Sequence, residues 1–126
     1  MSDITPALPS GRQLIQRYGN GKFHVSGVTY HGSVIIFPEK TIAWDVTSYE
    51  GFTSASFKPL SILERPIEVL LIGCGPRMGM PRADIRDYLK EFKIVPEWMD
   101  TAAACRTLNV LMLENRAAAA ALIAVD

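Results

Sequence analysis

The stretch Val69-Leu70-Leu71-Ile72-Gly73-Cys74-Gly75-Pro76-Arg77-Met78-Gly79-Met80-Pro81-Arg82 constrains the fold more than any other part of the chain. An apolar run stops at glycines, and a loop carrying proline and arginine leads into a helical pattern. A buried strand feeds a helix N-terminus in this way, and the free N–H groups there favour an anion. Pro66 to Ile72 is apolar apart from Glu68, which predicts a strand covered on both faces. Pro81 fits the first helical position, where its missing N–H costs nothing. Ile85, Tyr88, Leu89 and Phe92 then form a stripe at i, i+3, i+4 and i+7. Asp84 and Asp87 early in that helix, and Lys90 late, match its dipole.

A short strand is expected over Ile94 to Met99, and Asp100 or Thr101 caps the next helix without a capping box. Ala104, Cys105, Leu108, Leu111 and Met112 share one face of that helix. Ala117 to Val125 returns as a buried strand whose small residues let helices approach closely. Strand–helix–strand–helix–strand predicts parallel strands with right-handed crossovers.

Leu14 to Val46 has a different texture. Short β-branched and aromatic runs alternate with Gly19-Asn20-Gly21, Ser26-Gly27, Gly32 and Pro38-Glu39-Lys40, the pattern of a hairpin meander. Ser48 to Lys58 is irregular, and a short strand or turn is expected around Ser61 to Leu63. The fold class is α/β with an antiparallel β addition, one domain over residues 13–126. Residues 1–12, broken by Pro6, Pro9 and Gly11, read as a flexible tail.

The 13 basic and 13 acidic side chains cancel, so no overall field attracts nucleic acid or an anionic membrane. Residues 1–13 lack the apolar core of a secretory signal, and two arginines with Asp3 do not make a transit peptide. The longest apolar run, Ala117 to Val125, is far short of the roughly 20 residues of a membrane span. Cys74 and Cys105 are unpatterned in apolar surroundings, as reduced cysteines of a cytoplasmic protein are.

Phe23-His24-Val25-Ser26-Gly27 followed by Tyr30-His31-Gly32-Ser33-Val34 resembles the opening of the MTH938-like family of small domains. Trp44 and Leu71-Ile72-Gly73-Cys74-Gly75 continue the pattern. Glu97-Trp98-Met99-Asp100-Thr101, Ala104 to Leu111, Glu114-Asn115-Arg116 and Ala119 to Ile123 resemble the family's C-terminal helix and strand. The resemblance runs from about Gly19 onwards. It implies a single compact domain with a mixed central sheet, two helices and the β meander. The family includes a mitochondrial respiratory complex I assembly factor, along with many bacterial members of unassigned activity. The resemblance therefore implies a non-enzymatic assembly module, cytoplasmic or peripheral to the inner membrane. Its partner would be a protein, a membrane-complex subunit among the options, with self-association left open and nucleic acid not expected.

Several chemistries were weighed against this reading. Gly73, Gly75 and Gly79 space as G-x-G-x-x-x-G, one residue late for a dinucleotide fingerprint, and no Gly-Lys-Ser/Thr makes a P-loop. His24 and His31 could face each other across a hairpin but lack a third metal ligand. Cys74 could be a nucleophile beside a helix start, yet nothing in the sequence orients a base towards it. Ser26, Ser33 and Ser48 lie in no Gly-x-Ser-x-Gly elbow, and Asp45 and Glu50 read as solvated carboxylates. No cofactor, metal or catalytic residue is assigned.

The expected contact surface is the glycine turn and its arginine loop (Gly73, Gly75, Arg77, Arg82), with Trp44 and Arg106 nearby. Met78 and Met80 add adaptable apolar surface there, and Arg86 joins the rim. Val110 and Leu113 lie opposite the core stripe of the last helix, on the side of Arg106. Either a further layer covers them or they belong to a partner patch. The alternative function is a small-molecule-binding protein or enzyme using a pocket at Gly73-Cys74-Gly75.

Overall fold

The computed structural model describes residues 11–126. Most of the expected tail, residues 1–10, lies outside the described residues. Arg12, assigned to that tail, is anchored: its guanidinium donates to the carbonyl of Arg116 at 2.6 Å.

Three strands, β1 (Ile15–Gly19), β2 (Lys22–Val25) and β3 (Val28–His31), form an antiparallel meander. Its two-residue turns place Asn20, Gly21, Ser26 and Gly27 at positive φ, the geometry that matches strand twist. The central sheet holds β4 (Val34–Ile36), β5 (Thr41–Ala43), β6 (Val69–Gly73), β7 (Val95–Met99) and β8 (Ala118–Leu122), in the order β5-β4-β8-β6-β7. It is mixed. The strands β6, β7 and β8 run parallel, and β4 joins β8 antiparallel. The antiparallel β addition expected of the first half is thus split: β4 and β5 extend the main sheet, and β1 to β3 pack a separate one against it.

Side-chain alternation divides the core into two layers. Leu70, Ile72, Ala119 and Ala121 face α1 (Ala83–Lys90), meeting its Ile85 and Leu89. Leu71, Ala118 and Ala120 face α2 (Thr101–Leu113), meeting Ala104, Leu108 and Met112, with Phe23 and Val25 of the meander in the same cluster. The alanine run on β8 is buried throughout, which suits a central strand covered on both sides.

Three local expectations are corrected. Residues Ser54–Ile62 form a 3₁₀ helix, where a strand or turn was expected nearer Leu63. Three residues per turn stacks Phe57 and Leu60 on one side, and both are buried. Helix α1 begins at Ala83 with Arg82 as its extended N-cap, so Pro81 precedes the helix instead of opening it. The stripe is shorter than predicted: Ile85 and Leu89 are buried, Tyr88 is half-buried, and Phe92 lies beyond the helix end. Asp100 caps α2, accepting from the Ala103 N–H at 2.7 Å.

Candidate functional site

Gly73 and Gly75 are buried, and their role is to seat α2 on the sheet. A Cβ on Gly73 would stand 2.8 Å from Leu122 Cδ2 and 3.1 Å from both Cα and Oγ1 of Thr101. Only a bare backbone lets the start of α2 come this close. Gly75 takes φ +103°, and its N–H donates to Thr101 Oγ1 at 3.0 Å. That hydroxyl, fully buried, donates in turn to the Ile123 carbonyl at 2.7 Å. The Cys74 N–H is spent on the Met99 carbonyl at 2.8 Å, and the Gly75 carbonyl accepts from the Thr101 N–H at 2.9 Å. The turn therefore points its donors into the fold. Residues 74–82 separate it from α1, so strand end and helix start do not combine into the anion cradle suggested by the sequence.

Those residues form a loop with a fixed inner side and an open outer side. Gly79 lies on Tyr49, where a Cβ would come within 2.6 Å of ring atom Cζ. Tyr49 meets Phe52 edge-on at 4.9 Å, and Phe52 meets Phe57 edge-on at 5.3 Å. Trp44 joins this aromatic cluster 5.5 Å from Phe57, and its indole N–H donates to the Ser56 carbonyl at 2.8 Å. Trp44 is buried, so it supports the loop from beneath and does not face a partner.

Arg82 is also built in. Its guanidinium donates to the Phe52 carbonyl at 2.6 Å, lies 5.2 Å from the Phe52 ring centre, and pairs with Asp84 at 2.9 Å. These bonds hold the Asp84 carboxyl below the usual carboxylate range. Arg86 lies over the Trp98 ring at 5.5 Å. The open side carries Arg77, Met78 and Met80, with the two methionines 63% and 79% exposed. Arg77 makes no ion pair among the described residues.

Arg106 is exposed on α2, as are Val110 and Leu113, so no layer of the described fold covers that side. It lines a cleft of about 430 Å³ between residues 15–18 of β1 and Cys105, Arg106 and Asn109 of α2. Sequence reading did not single out Arg17, Tyr18, Asn109 or the hydroxyl of Thr101. Only the packing of α2 beside β1 and above Gly73 brings them into play.

The histidines do not face each other. His24 sits opposite Thr29 and bonds its hydroxyl through Nδ1 at 2.8 Å, while His31 sits opposite Lys22. Among the described residues no group of three His, Cys, Asp or Glu side chains is placed to hold a metal. Cys74 belongs to the α1-side core, whereas both histidines lie on the meander. Burial pushes the Cys74 thiol above its ordinary pKa, and burial pushes Cys105 up to about 12. We expect both thiols to resist iodoacetamide in the folded chain at mildly alkaline pH and to react after denaturation. A Cys74 that alkylates rapidly while folded, below the ordinary thiol pKa, would contradict this. The unfolded chain loses the Cys105 proton above about pH 8.5 while the folded chain keeps it. Stability from this group is therefore complete below that pH and declines as pH rises toward 12.

The family model described as "Protein of unknown function (DUF498/DUF598)" matches residues 15–123. A zebrafish (Danio rerio) protein named NADH dehydrogenase (ubiquinone) 1 alpha subcomplex assembly factor 3 is 36% identical over 90% of this chain and 66% of its own length. The human protein of that name is 31% identical over 86% of this chain and 59% of its own. The chain thus spans about three-fifths of these curated relatives. Among solved structures, one described as an outer membrane protein from Bartonella henselae aligns at TM-score 0.85 with 38% identity, covering 95% of this chain and all of its own. A Mth938-like domain from Bordetella pertussis aligns at 0.80 with 26% identity, covering 98% and 92%.

Proposed function

The chain belongs to the DUF498/DUF598 family with its Mth938-like fold, and from that membership we propose that it is a binding module assisting assembly of a membrane protein complex. Relatives named as assembly factors for NADH dehydrogenase support respiratory complex I as the client. The contact surface is the loop 76–82. Gly73, Gly75, Trp44 and Arg82 fix its inner side, and Arg77, Met78 and Met80 present the outer one. Arg106, on α2, lines the separate cleft beside β1.

One observation carries this reading. Two highly exposed methionines, with an arginine that makes no ion pair among the described residues, stand on a loop whose other side is locked by an aromatic cluster. Adaptable apolar side chains rimmed by charge, held on a rigid base, suit contact with another protein. Catalysis would instead need convergent polar groups, and the open side of the loop offers the Arg77 guanidinium alone among the described residues.

Affinity capture of the tagged chain from its source cells after mild detergent lysis tests the reading, with Arg77→Glu/Met80→Asp as the comparison. Subunits of a respiratory membrane complex are expected with the parent chain, reduced about tenfold with the variant. Arg82 is left intact, because its loss would disturb Phe52 and the start of α1. A parent chain that captures no such subunit contradicts the proposal. Capture undiminished in the variant removes the loop from it. Among the described residues no helix is long and apolar enough to cross a membrane, so the client would be met from one side.

A further inference from the structure

We propose that the groove between the outer edge of β1 and α2 receives a short, extended, acidic segment of a partner polypeptide, which pairs with β1 as an added strand. This rests on reading the chain as a protein-binding module and gives it a second contact surface, separate from the loop 76–82.

Among the described residues the edge is open: β1 pairs with β2 on one side and with no strand on the other. Gly32 N–H donates to the Gly21 carbonyl at 2.8 Å, so on β2 it is Phe23 and Val25 that turn their main-chain groups towards β3. Tyr18, opposite Phe23, therefore points its own N–H and C=O away from β2, into the groove. Ile15 also points outward, and there the Asn109 side chain acts as a one-residue strand. Its Oδ1 accepts from the Ile15 N–H at 2.9 Å, and its Nδ2 donates to the Ile15 carbonyl at 2.8 Å. The fold thus satisfies at Ile15 the donor–acceptor pair that it leaves facing the groove at Tyr18.

Charge names the partner. The groove adjoins a second depression of about 330 Å³, and the two share Arg17 and Tyr18. Among the described residues their charged lining side chains are Arg17, Lys22 and Arg106, and no Asp or Glu lines either one. In a chain with equal numbers of acids and bases, this acid-free trough is a local departure that complements an acidic segment. A phosphate would satisfy the cations, but its oxygens are mostly acceptors and it cannot pair along the strand with both the N–H and the carbonyl of Tyr18. A peptide backbone brings both donor and acceptor. The irregular register between Ile15 and Arg17 and the five-residue length of β1 limit pairing to a few residues. That favours a short segment over sheet-to-sheet pairing with a second copy. Val110 and Leu113, exposed farther along α2, extend the face.

The test is a titration of the isotopically labelled full chain, followed by amide NMR, with a short peptide alternating threonine and glutamate. Saturable shifts are expected at the amides of residues 16–19, Arg106 and Asn109, with Tyr18 showing the downfield movement of a newly bonded N–H. Arg17→Glu/Arg106→Glu should weaken binding about tenfold or more, while Arg77→Glu leaves it unchanged. All three arginines are at exposed surface positions, and the unperturbed remainder of each spectrum verifies folding. The proposal is overturned if these amides do not respond, or if a threonine–lysine peptide binds as well. Equal binding by a backbone N-methylated peptide also overturns it, as does a stronger response to inorganic phosphate or a single-stranded oligonucleotide. Concentration-dependent shifts at the same amides without peptide would assign the edge to self-association instead. If the peptide fails while the loop variant still loses cellular partners, this surface falls and the module reading stands.

Discussion

Phe52→Ala is expected to cost about 3–5 kcal/mol of folding stability, the largest effect of any single truncation considered. The ring is fully buried and meets Tyr49 edge-on at 4.9 Å, Phe57 edge-on at 5.3 Å and Trp44 at 6.1 Å. It also lies beneath the Arg82 guanidinium, 5.2 Å away. Removing it opens a cavity between neighbours that are held in place by other bonds. Trp44 is tied to Ser56 and Arg82 to the Phe52 carbonyl, so collapse is limited and the cavity cost remains. Urea unfolding should show the midpoint falling with little change in slope. A loss under about 1 kcal/mol would mean that the aromatic cluster does not set the base of the loop. Because this cluster carries Gly79 and Arg82, the variant should also loosen the proposed contact surface, measurable as faster amide exchange across residues 76–82.

Thr101→Val is the second large effect, about 2–4 kcal/mol with almost no change in volume. The hydroxyl joins three elements: it accepts from Gly75 N–H, donates to the Ile123 carbonyl, and belongs to the first residue of α2. Valine fills the same space but orphans a buried donor and a buried acceptor, each costing about 1–3 kcal/mol. Thr101→Ser keeps the hydroxyl and should lose only about 1 kcal/mol, the worth of one buried methyl group. Equal stability of the valine and serine variants would contradict the hydrogen-bond assignment. The sequence shows a threonine that could cap a helix. That it bridges the glycine turn to β8 depends on α2 lying across the sheet, which no local pattern states.

Legibility followed the range of the forces involved. The two hairpin turns and the parallel β6–β7–β8 core are local or periodic and could be read from residue order, as could a cap for α2 at Asp100 or Thr101, which the structure assigns to Asp100. The 3₁₀ helix over Ser54–Ile62 could not, because Phe57 and Leu60 obtain their partners from Trp44, Phe52 and β6. The same distinction runs through the site. Arg77 and Met80 were legible as loop side chains, and the structure exposes both. Arg82 is expected in the same surface with Trp44 nearby, yet burial takes Trp44, and Phe52 with Asp84 takes Arg82. The β1–α2 groove left no trace in the sequence. Residues 15–18 meet Arg106 and Asn109 only through packing across most of the chain.

The proposed assembly function is tested most directly by deleting the gene in its source organism and resolving the membrane complexes on a native gel stained for NADH dehydrogenase activity. Loss of the fully assembled complex is expected, with partly assembled subunits accumulating. Reintroducing the parent chain should restore it, whereas the Arg77→Glu/Met80→Asp chain at equal abundance should not. An undiminished complex in the deletion strain would contradict the assembly function itself.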